Sequence, residues 1–494
     1  MRVVYSRWWM GIDMYTDDLV SRTAGSSNFN MMALHTTFPS AGLFESTDVY
    51  SAWWEGIGRA NNVIANVPAI DMDEAEKNLI IGEARALRAF YYYNLVRAFG
   101  DVPMVNTAVL TEADFMKPRA AVDDIYNEII IPDLLFAGEH CSDGLHDGHI
   151  TKWTAKLILS EVYLTRAGMR RTSQGVFVQG DASNYALASE MAKDVVDNAP
   201  NSLNIVASLS AVAYGTAWDK ATPFTSESML EISYLPVSGY GNWMSRESRG
   251  WTRGTNYWGS DSSTPLIDEG ITGDLYDLSF PSTPNVGTYL PTPHLYDEFE
   301  DGDERRDFNI MTRYDDGEGN TYLCQPMFRK FMDLDYLTGV DGTSFQYTNN
   351  NTILYRFADA LLIYAEAQNE ADGAPNAEAY EAVNKIRNRA GLADLVVGLS
   401  QEDFRNALWK ERRCEFAGEY KRKFDLIRTN RLTNSTLSVN LDWTPDQDAV
   451  TTFRNTYSLY TGSVLWPDHE WLWPIPQSQL DLNIENNWEQ NEGY

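Results

Sequence analysis

Residues able to grip a small polar ligand crowd into one stretch of the chain. Between positions 240 and 258 lie Tyr240, Trp243, Trp251, Tyr257 and Trp258, interleaved with Asn242, Arg246, Arg249, Arg253 and Asn256. Gly239, Gly241, Gly250, Gly254 and Gly259 stand among them. Tyr and Trp offer a flat apolar face with a polar tip, which suits the C–H face of a sugar ring. Asn and Arg supply donors and acceptors for hydroxyls, and a guanidinium can hold a carboxylate at two points. Glycine lets backbone approach a ligand closely. The candidate ligand-binding set is Tyr240, Trp243, Arg246, Arg249, Trp251, Arg253, Asn256, Tyr257 and Trp258. The competing reading is that these rings pack the interior of their own lobe.

Catalytic and metal chemistry find weaker footing. A glycosidase needs two carboxylates flanking the scissile bond. The chain holds 70 acidic residues, so pairs abound and none is marked. Glu411, Glu415 and Glu419 sit among Lys410, Arg412, Arg413, Lys421 and Arg422, which reads as a salt-bridged helix surface. His140, His146 and His149 lie close to Asp143 and Asp147; a solvated turn is the expectation there rather than a metal site. Tyr314-Asp315-Asp316-Gly317-Glu318-Gly319-Asn320 carries oxygen ligands for calcium but not the full EF-hand loop, so a solvated hairpin tip is expected. Neither a phosphate-cradling glycine motif nor a nucleophile elbow occurs. The expectation is no catalytic residue, no metal and no cofactor.

Composition narrows the partners. Of 494 residues, 15 are Trp and 27 are Tyr, and the formal net charge is −31. Such a field repels nucleic-acid phosphates and anionic lipid headgroups, leaving neutral or cationic partners. Three cysteines, Cys141, Cys324 and Cys414, at wide spacing make neither a disulfide framework nor a zinc pattern, and Cys414 reads as a small core residue. No apolar run approaches the ~20 residues that span a bilayer. Met1 to Trp9 has no apolar signal region, and Tyr5, Trp8, Trp9 and Met10 arrive without a flexible lead-in, so the natural chain is expected to start further upstream.

The elements that must position the aromatic stretch are helical. Val49, Trp53, Ile57, Ala60 and Ile64 recur at helical spacing over 46–67, with Ser46 or Thr47 as cap and Pro68 as stop. A second helix is expected over 74–99, acidic at its start and closed by Gly100. Further helices are expected at 121–137, 151–168, 183–198, 353–372, 376–390 and 401–417. Trp54-x2-Ile57-Gly58 and Ala86-x3-Phe90 echo a tetratricopeptide pattern at irregular spacing. Residues 200–351 are rich in Gly, Ser, Thr, Asn, Pro and aromatics, with one strand expected over 229–235 and irregular loops elsewhere. Loops on a rigid scaffold are where binding sites are usually placed.

Several strings then resemble one family. Glu83-Ala84-Arg85-Ala86-Leu87-Arg88-Ala89-Phe90-Tyr91-Tyr92, followed by Phe99-Gly100-Asp101-Val102-Pro103, is similar to the signature of the SusD/RagB family. So, in order, are Tyr355-Arg356-Phe357-Ala358-Asp359, Asn384-Lys385-Ile386-Arg387-Asn388-Arg389-Ala390-Gly391-Leu392, Glu411-Arg412-Arg413-Cys414-Glu415-Phe416-Ala417-Gly418-Glu419 and Leu472-Trp473-Pro474-Ile475-Pro476. The resemblance spans nearly the whole chain. It implies a surface lipoprotein of the outer membrane that binds glycan, or sometimes peptide, and caps a SusC-like TonB-dependent transporter docked on its helical side. It also draws in Trp8, Trp9, Asp13, Tyr15, Asp17 and Asp18, since an early segment of the family often faces ligand; core packing is the expectation for Trp8 and Trp9. The family's signal peptide and lipid-bearing cysteine have no counterpart here, and Glu492 stands where a proline is usual. The matching strings read as scaffold, with Glu83, Arg85 and Arg88 forming helix-surface charge pairs worth tenths of a kcal/mol.

The expected fold is mostly α, a tetratricopeptide-like helical-repeat scaffold carrying a large loop-rich lobe with short strands. The chain is expected to form one SusD-like unit: helical scaffold at 46–199 and 352–430, ligand lobe at 200–351, with 1–45 and 431–494 packed against it. The expected function is non-catalytic glycan capture at the extracellular face of the outer membrane, for polysaccharide utilisation. The alternatives are a helical glycoside hydrolase, a peptide-binding member of the family, or a scaffold that binds only protein.

Overall fold

In a computed structural model of the chain, residues 5, 9–20, 44–108, 116–204, 218, 222–237, 239–248, 289–315, 321–331, 348–432 and 467–494 are described. Helix α1 runs Phe44–Asn66 and α2 runs Glu74–Phe99. Asp73 caps α2 by accepting from Ala75 N, Glu74 and Glu76 meet the positive end of its dipole, and Gly100 ends it at a φ of 73°. The helix expected at 121–137 is in fact three pieces. These are α3 Val122–Ile125, a π-turn Tyr126–Ile130, and α4 Ile131–His140. Next come α5 Lys152–Ala167, capped by Thr151, and α6 Ser183–Asn198. The C-terminal helices of the scaffold follow a lobe described below: α7 Met244–Glu247, α8 Pro293–Glu298 and α9 Glu304–Asn309 within the lobe, then α10 Phe357–Asp372, α11 Ala377–Arg389, α12 Gln401–Glu415 and α13 Arg422–Arg428.

The long helices stack in one continuous row. α1 packs on α2, α2 on α4, α4 on α5, α5 on α6, α6 on α10, and α10 on α11 and α12. Each pair thus covers the apolar face its neighbour leaves open, the logic of a helical repeat. The interior of α10 shows why the row needs both sides: every residue from Phe357 to Asn369 is buried. Trp53 of α1 and Trp473 near the C-terminus are fully buried beside Phe99.

The lobe enters the row through a strand. After the short strands β1 Leu19–Val20, β2 Val102–Pro103, β3 Arg119–Ala120, β4 Met169–Arg171 and β5 Phe177–Gln179 comes β6, Ser228–Ile232. Beyond β7 Leu290–Pro291, β8 Ile310–Asp315 and β9 Thr321–Phe328 lies β10, Thr352–Arg356, which pairs antiparallel with β6, Thr352 opposite Ile232 and Arg356 opposite Ser228. The helix expected over 353–372 therefore starts at 357, because Thr352, Ile353 and Tyr355 extend into this pair first. The lobe is also more regular than expected. α7, α8 and α9 interrupt it, and strands Ile310–Asp315 and Thr321–Phe328 form a hairpin in which Asp315 faces Thr321. The tip at 316–320, where the acidic turn falls, lies outside the described residues.

The charges of α12 depart from the surface expected for them. Glu411, Glu415 and Glu419 are indeed salt-bridged, yet all three are buried. Their cations come from elsewhere in the chain. Arg305 donates to Glu411 at 2.6 Å and Glu415 at 2.9 Å, and Lys330 reaches Glu419 at 2.9 Å. Arg356 meets Glu227 at 2.9 Å, Glu419 at 2.9 Å and the Glu415 carboxylate. Arg389 closes the set on Glu227 and Glu415. The network lashes lobe residues 227, 305 and 330 to the scaffold. A similar correction applies to Arg88, which is buried and grips Asp133 of α4 with two donors at 2.7 and 2.9 Å and Asn61 of α1 at 2.8 Å. Cys414 is a free, buried core residue as expected, and Cys141 is likewise free and buried.

Candidate functional site

The aromatic stretch leaves the fold from a built stem. Asn242 pairs with Thr348 through both backbone bonds, at 2.8 and 3.0 Å. Its side-chain amide donates to Asn350 O at 2.8 Å and Thr352 Oγ1 at 3.2 Å, while its Oδ1 accepts from Met244 N at 2.9 Å. This buried amide thus fixes the start of α7 against β10. The chain returns at Tyr289, whose N–H donates to Glu247 O at 3.0 Å. Glu247, Ser248 and Tyr289, the described residues that flank 249–288, are all buried. From Tyr289 the chain forms the two-residue strand Leu290–Pro291, which pairs antiparallel with Leu19–Val20.

That pairing brings the second candidate segment beside the stem, but gives its carboxylates a structural task. Arg422 grips Asp17 at 2.8 Å with two donors, and Arg413 donates to Asp18 at 2.8 Å and to Glu298 at 2.6 Å. Burial opposes the Asp17 charge, yet Arg413 and Arg422 outweigh it and hold its pKa well below the carboxylate range. Asp13 is buried and accepts from Lys423 N at 3.1 Å. Desolvation pushes its carboxyl up to about 7. Asp13, Asp17 and Asp18 are thus anchors of the N-terminal segment, each fully enclosed. The side chains of Trp9 and Tyr15 and all of Trp8 lie outside the described residues.

Of the candidate set, Tyr240 stands exposed at 47% and Trp243 is half-buried. Arg246 lies on α7 with its backbone described; Arg249, Trp251, Arg253, Asn256, Tyr257 and Trp258 fall outside the described residues. Beside Tyr240 the turn exposes Leu235 at 58% and Val237 at 50%, and is closed by Leu235 N donating to Tyr240 O at 2.9 Å. Composition gave no reason to single out Leu235 and Val237; the sign is two aliphatic residues around Pro236, three residues before an aromatic.

The histidine cluster lies on a largely exposed turn, as expected, with one buried member that makes it a structural joint as well. His146 is buried, its Nδ1 bonded to His149 O at 2.8 Å and its Nε2 accepting Glu231 N–H at 3.0 Å. Both ring nitrogens are therefore spent tying this turn to β6. His149 reaches Glu83 at 3.1 Å. Among the described residues no cluster of His, Cys, Asp and Glu is arranged to hold a metal.

Two family models match the chain in its own order. One, described as starch-binding associating with outer membrane, matches residues 10–164; the other, the SusD family, matches residues 300–494. The chain belongs to the SusD/RagB family. A SusD-like protein, P2, from Formosa agariphila is 28% identical over 474 residues, covering 91% of this chain and 82% of that one. A SusD superfamily protein from Parabacteroides distasonis superposes with a TM-score of 0.76 at 24% identity, over 98% of this chain and 93% of that one. A laminarin-binding SusD-like protein superposes with a TM-score of 0.72 at 23% identity, over 99% and 97% of the two chains. The SusD fold accounts for the row of helix pairs as tetratricopeptide-like repeats. It also accounts for the signature residues: Arg88, Arg356, Arg387, Arg389, Glu411 and Glu415 are the buried ion pairs that hold the row and the lobe together.

Proposed function

We propose that this SusD/RagB protein captures glycan at the outer-membrane surface without cleaving it, and passes it to a SusC-like TonB-dependent transporter. The observation that carries the reading is the stem at 235–248 and 289–292. It presents Tyr240 and Trp243 from a buried base, and its residues Ser248 and Tyr289 flank the stretch of sequence that holds Trp251, Tyr257 and Trp258. A rigid base with an aromatic rim binds sugar by stacking and by preorganised polar contacts. The laminarin-binding relative and the starch-binding description of the matching family model favour glycan over peptide as the cargo.

The ligand set is Tyr240, Trp243, Arg246, Arg249, Trp251, Arg253, Asn256, Tyr257 and Trp258. The helical row 46–199 with 352–430 acts as scaffold, and 200–351 as the ligand lobe. The non-catalytic reading draws on the fate of the carboxylates that sequence brings together. Glu411, Glu415, Glu419, Asp17 and Asp18 are each buried in ion pairs, with no open water-side face for acid–base work. Retention at the surface is assigned to a lipid anchor on the strength of the family alone; among the described residues no helix is long and apolar enough to cross a membrane.

The test is isothermal titration of the chain against laminari-, malto-, xylo- and xylogluco-oligosaccharides, with chromatography of each mixture afterwards. Saturable binding with intact sugar is expected for at least one of them. Shortened sugar overturns the non-catalytic assignment, and silence across the panel overturns glycan as the cargo. Co-purification with the transporter is the separate measurement for delivery.

A further inference from the structure

Away from the lobe, a cavity of about 430 Å³ opens where α2, α5 and α13 meet the hairpin β4–β5, Met169–Arg171 with Phe177–Gln179. Its size falls in the range of about 300–1,000 Å³ typical of small-molecule sites. Every lining residue lies in 96–184 or 424–472, so it shares none with the stem. Its walls are apolar and aromatic, among them Val96, Met169, Val178, Tyr126 and Trp471.

The charge on its wall is unusual for a chain of net −31: five arginines face two aspartates. Three of the five are committed. Arg97 lies between the Tyr93 and Phe424 rings and bonds Glu161 at 3.3 Å. Arg428 is held by Glu366 and by Asp425 at 2.7 Å, and Arg170 by Asp123 at 2.6 Å. Two retain donors. The Arg166 side chain makes no hydrogen bond or ion pair among the described residues; its guanidinium lies over the Tyr126 ring at 5.3 Å, and its charge also acts on Asp181. Arg171 is 5% exposed and paired with Glu492, yet its Nε is buried with no partner. A buried N–H left unmade is costly, but this nitrogen is closed off from solvent, so it is Arg166 that offers donors to the cavity. Asp181, the second aspartate, is fully exposed and engaged with Ser183 N at the start of α6.

Two further features fit a built site. The π-turn begins at Tyr126, and Tyr126 and Asn127 are the two of its residues that line the cavity; such bulges recur at functional sites. Gly180 lets the end of the hairpin lie directly against the end of α5, since a side chain there would strike the Arg166 carbonyl. Asn127 adds an amide to the lining, while those of Gln179 and Asn184 donate to Ala167 O at 2.8 Å and Asp181 O at 2.9 Å.

We propose that this cavity binds a sugar acid of monosaccharide or disaccharide size. The carboxylate is taken by Arg166, the ring face lies against Tyr126 and the aliphatic wall, and Asn127 meets a hydroxyl. Planar guanidinium donors match a carboxylate in a way a neutral sugar cannot use. The site is independent of the glycan lobe, and its occupant is read separately.

The experiment titrates the full chain with D-glucuronate, D-galacturonate, their neutral parents D-glucose and D-galactose, and sodium sulfate, then repeats the series with Arg166→Gln and with Tyr240→Ala. Arg166 is half-buried and holds no ion pair, so its variant folds, which thermal melting checks. The expected result is saturable binding of at least one uronate, ten-fold or more tighter than its neutral parent. Arg166→Gln weakens it at least ten-fold, Arg166→Lys restores part of the loss, and Tyr240→Ala leaves it unchanged. Equal affinity for acid and parent overturns the proposal. So does equal affinity for sulfate and uronate, uronate binding indifferent to Arg166, or no saturation by either uronate at 20-fold the concentration that saturates the lobe's own ligand. Loss of uronate binding in Tyr240→Ala alone places the acid in the lobe instead.

Discussion

Arg356→Met removes the cation at the centre of the buried network, and its cost can be worked from the contacts. The arginine is fully enclosed. It donates to Glu227 at 2.9 Å, to the two oxygens of Glu419 at 2.9 and 3.0 Å, to the Glu415 carbonyl at 2.8 Å and to the Glu415 carboxylate. Removing one partner of a buried ion pair costs about 3–5 kcal/mol, because the remaining charge is stranded out of water. Here each stranded carboxylate keeps another cation. Arg389 stays on Glu227, Arg305 and Arg389 on Glu415, and Lys330 on Glu419. The loss therefore belongs at the lower end, about 3 kcal/mol. With a urea m-value of about 3 kcal/mol/M or somewhat above, since m grows with the surface exposed, the midpoint falls by roughly 1 M. Urea unfolding followed by both tryptophan fluorescence and far-ultraviolet circular dichroism reads this shift. A fall below about 0.3 M, the effect of an exposed pair, refutes the claim that the network carries the join between lobe and scaffold.

Three other outcomes follow from the same geometry. Tyr240→Ala weakens glycan binding about 3- to 10-fold, the worth of one stacked ring, and leaves the melting temperature within 1 °C or so because the side chain is largely exposed; calorimetric titration and melting curves read the two. Asn242→Ala unties the stem from Asn350, Thr352 and Met244 and costs about 1–3 kcal/mol in urea unfolding, with glycan affinity falling as well; unchanged affinity would show that the stem does not position the site. Burial opposes the Glu415 charge, but Arg389, Arg356 and Arg305 outweigh it and hold its pKa far below the ordinary 4.5. The unfolded chain then binds the extra proton first on acidification, so this carboxylate's stabilisation is complete above pH 4.5 and drains away below it. The stability gap between the native chain and Glu415→Gln is accordingly constant above that pH and narrows below it; a gap unaffected by acid rejects the ion-pair account.

Local signals and distant ones were not equally legible in the sequence. Helix α2 runs 74–99 as its spacing predicts, because Asp73 and Gly100 mark both ends with local chemistry. The start of α10 was misplaced, since Thr352 to Tyr355 form an apolar run that suits a buried strand or a buried helix equally well. The charges of α12 were assigned to water because their partners at 227, 305 and 330 are far away in sequence, and periodicity reports only that a face is polar. At the site, the aromatic crowding was legible from composition. Asn242 stood among the interleaved polar residues but outside the candidate set, and its amide is consumed by the stem. The exposed Leu235 and Val237 carried no signal of their own, and the role of the residues beyond Ser248 rests on the proposal above.

The stem has a consequence for how such a protein can change its diet. Glu247 and Tyr289 are already joined by a backbone bond, so whatever lies between them closes on a fixed pair of points. The entropy of closing a segment grows only with the logarithm of its length, about 0.6 kcal/mol for each doubling. Insertions, deletions or wholesale replacement of 249–288 would therefore tax the folding of the chain very little, while rewriting the six members of the proposed ligand set that lie within it, Arg249, Trp251, Arg253, Asn256, Tyr257 and Trp258. Selection can treat that stretch as an interchangeable cartridge, and a laboratory can do the same by grafting a relative's segment between Ser248 and Tyr289.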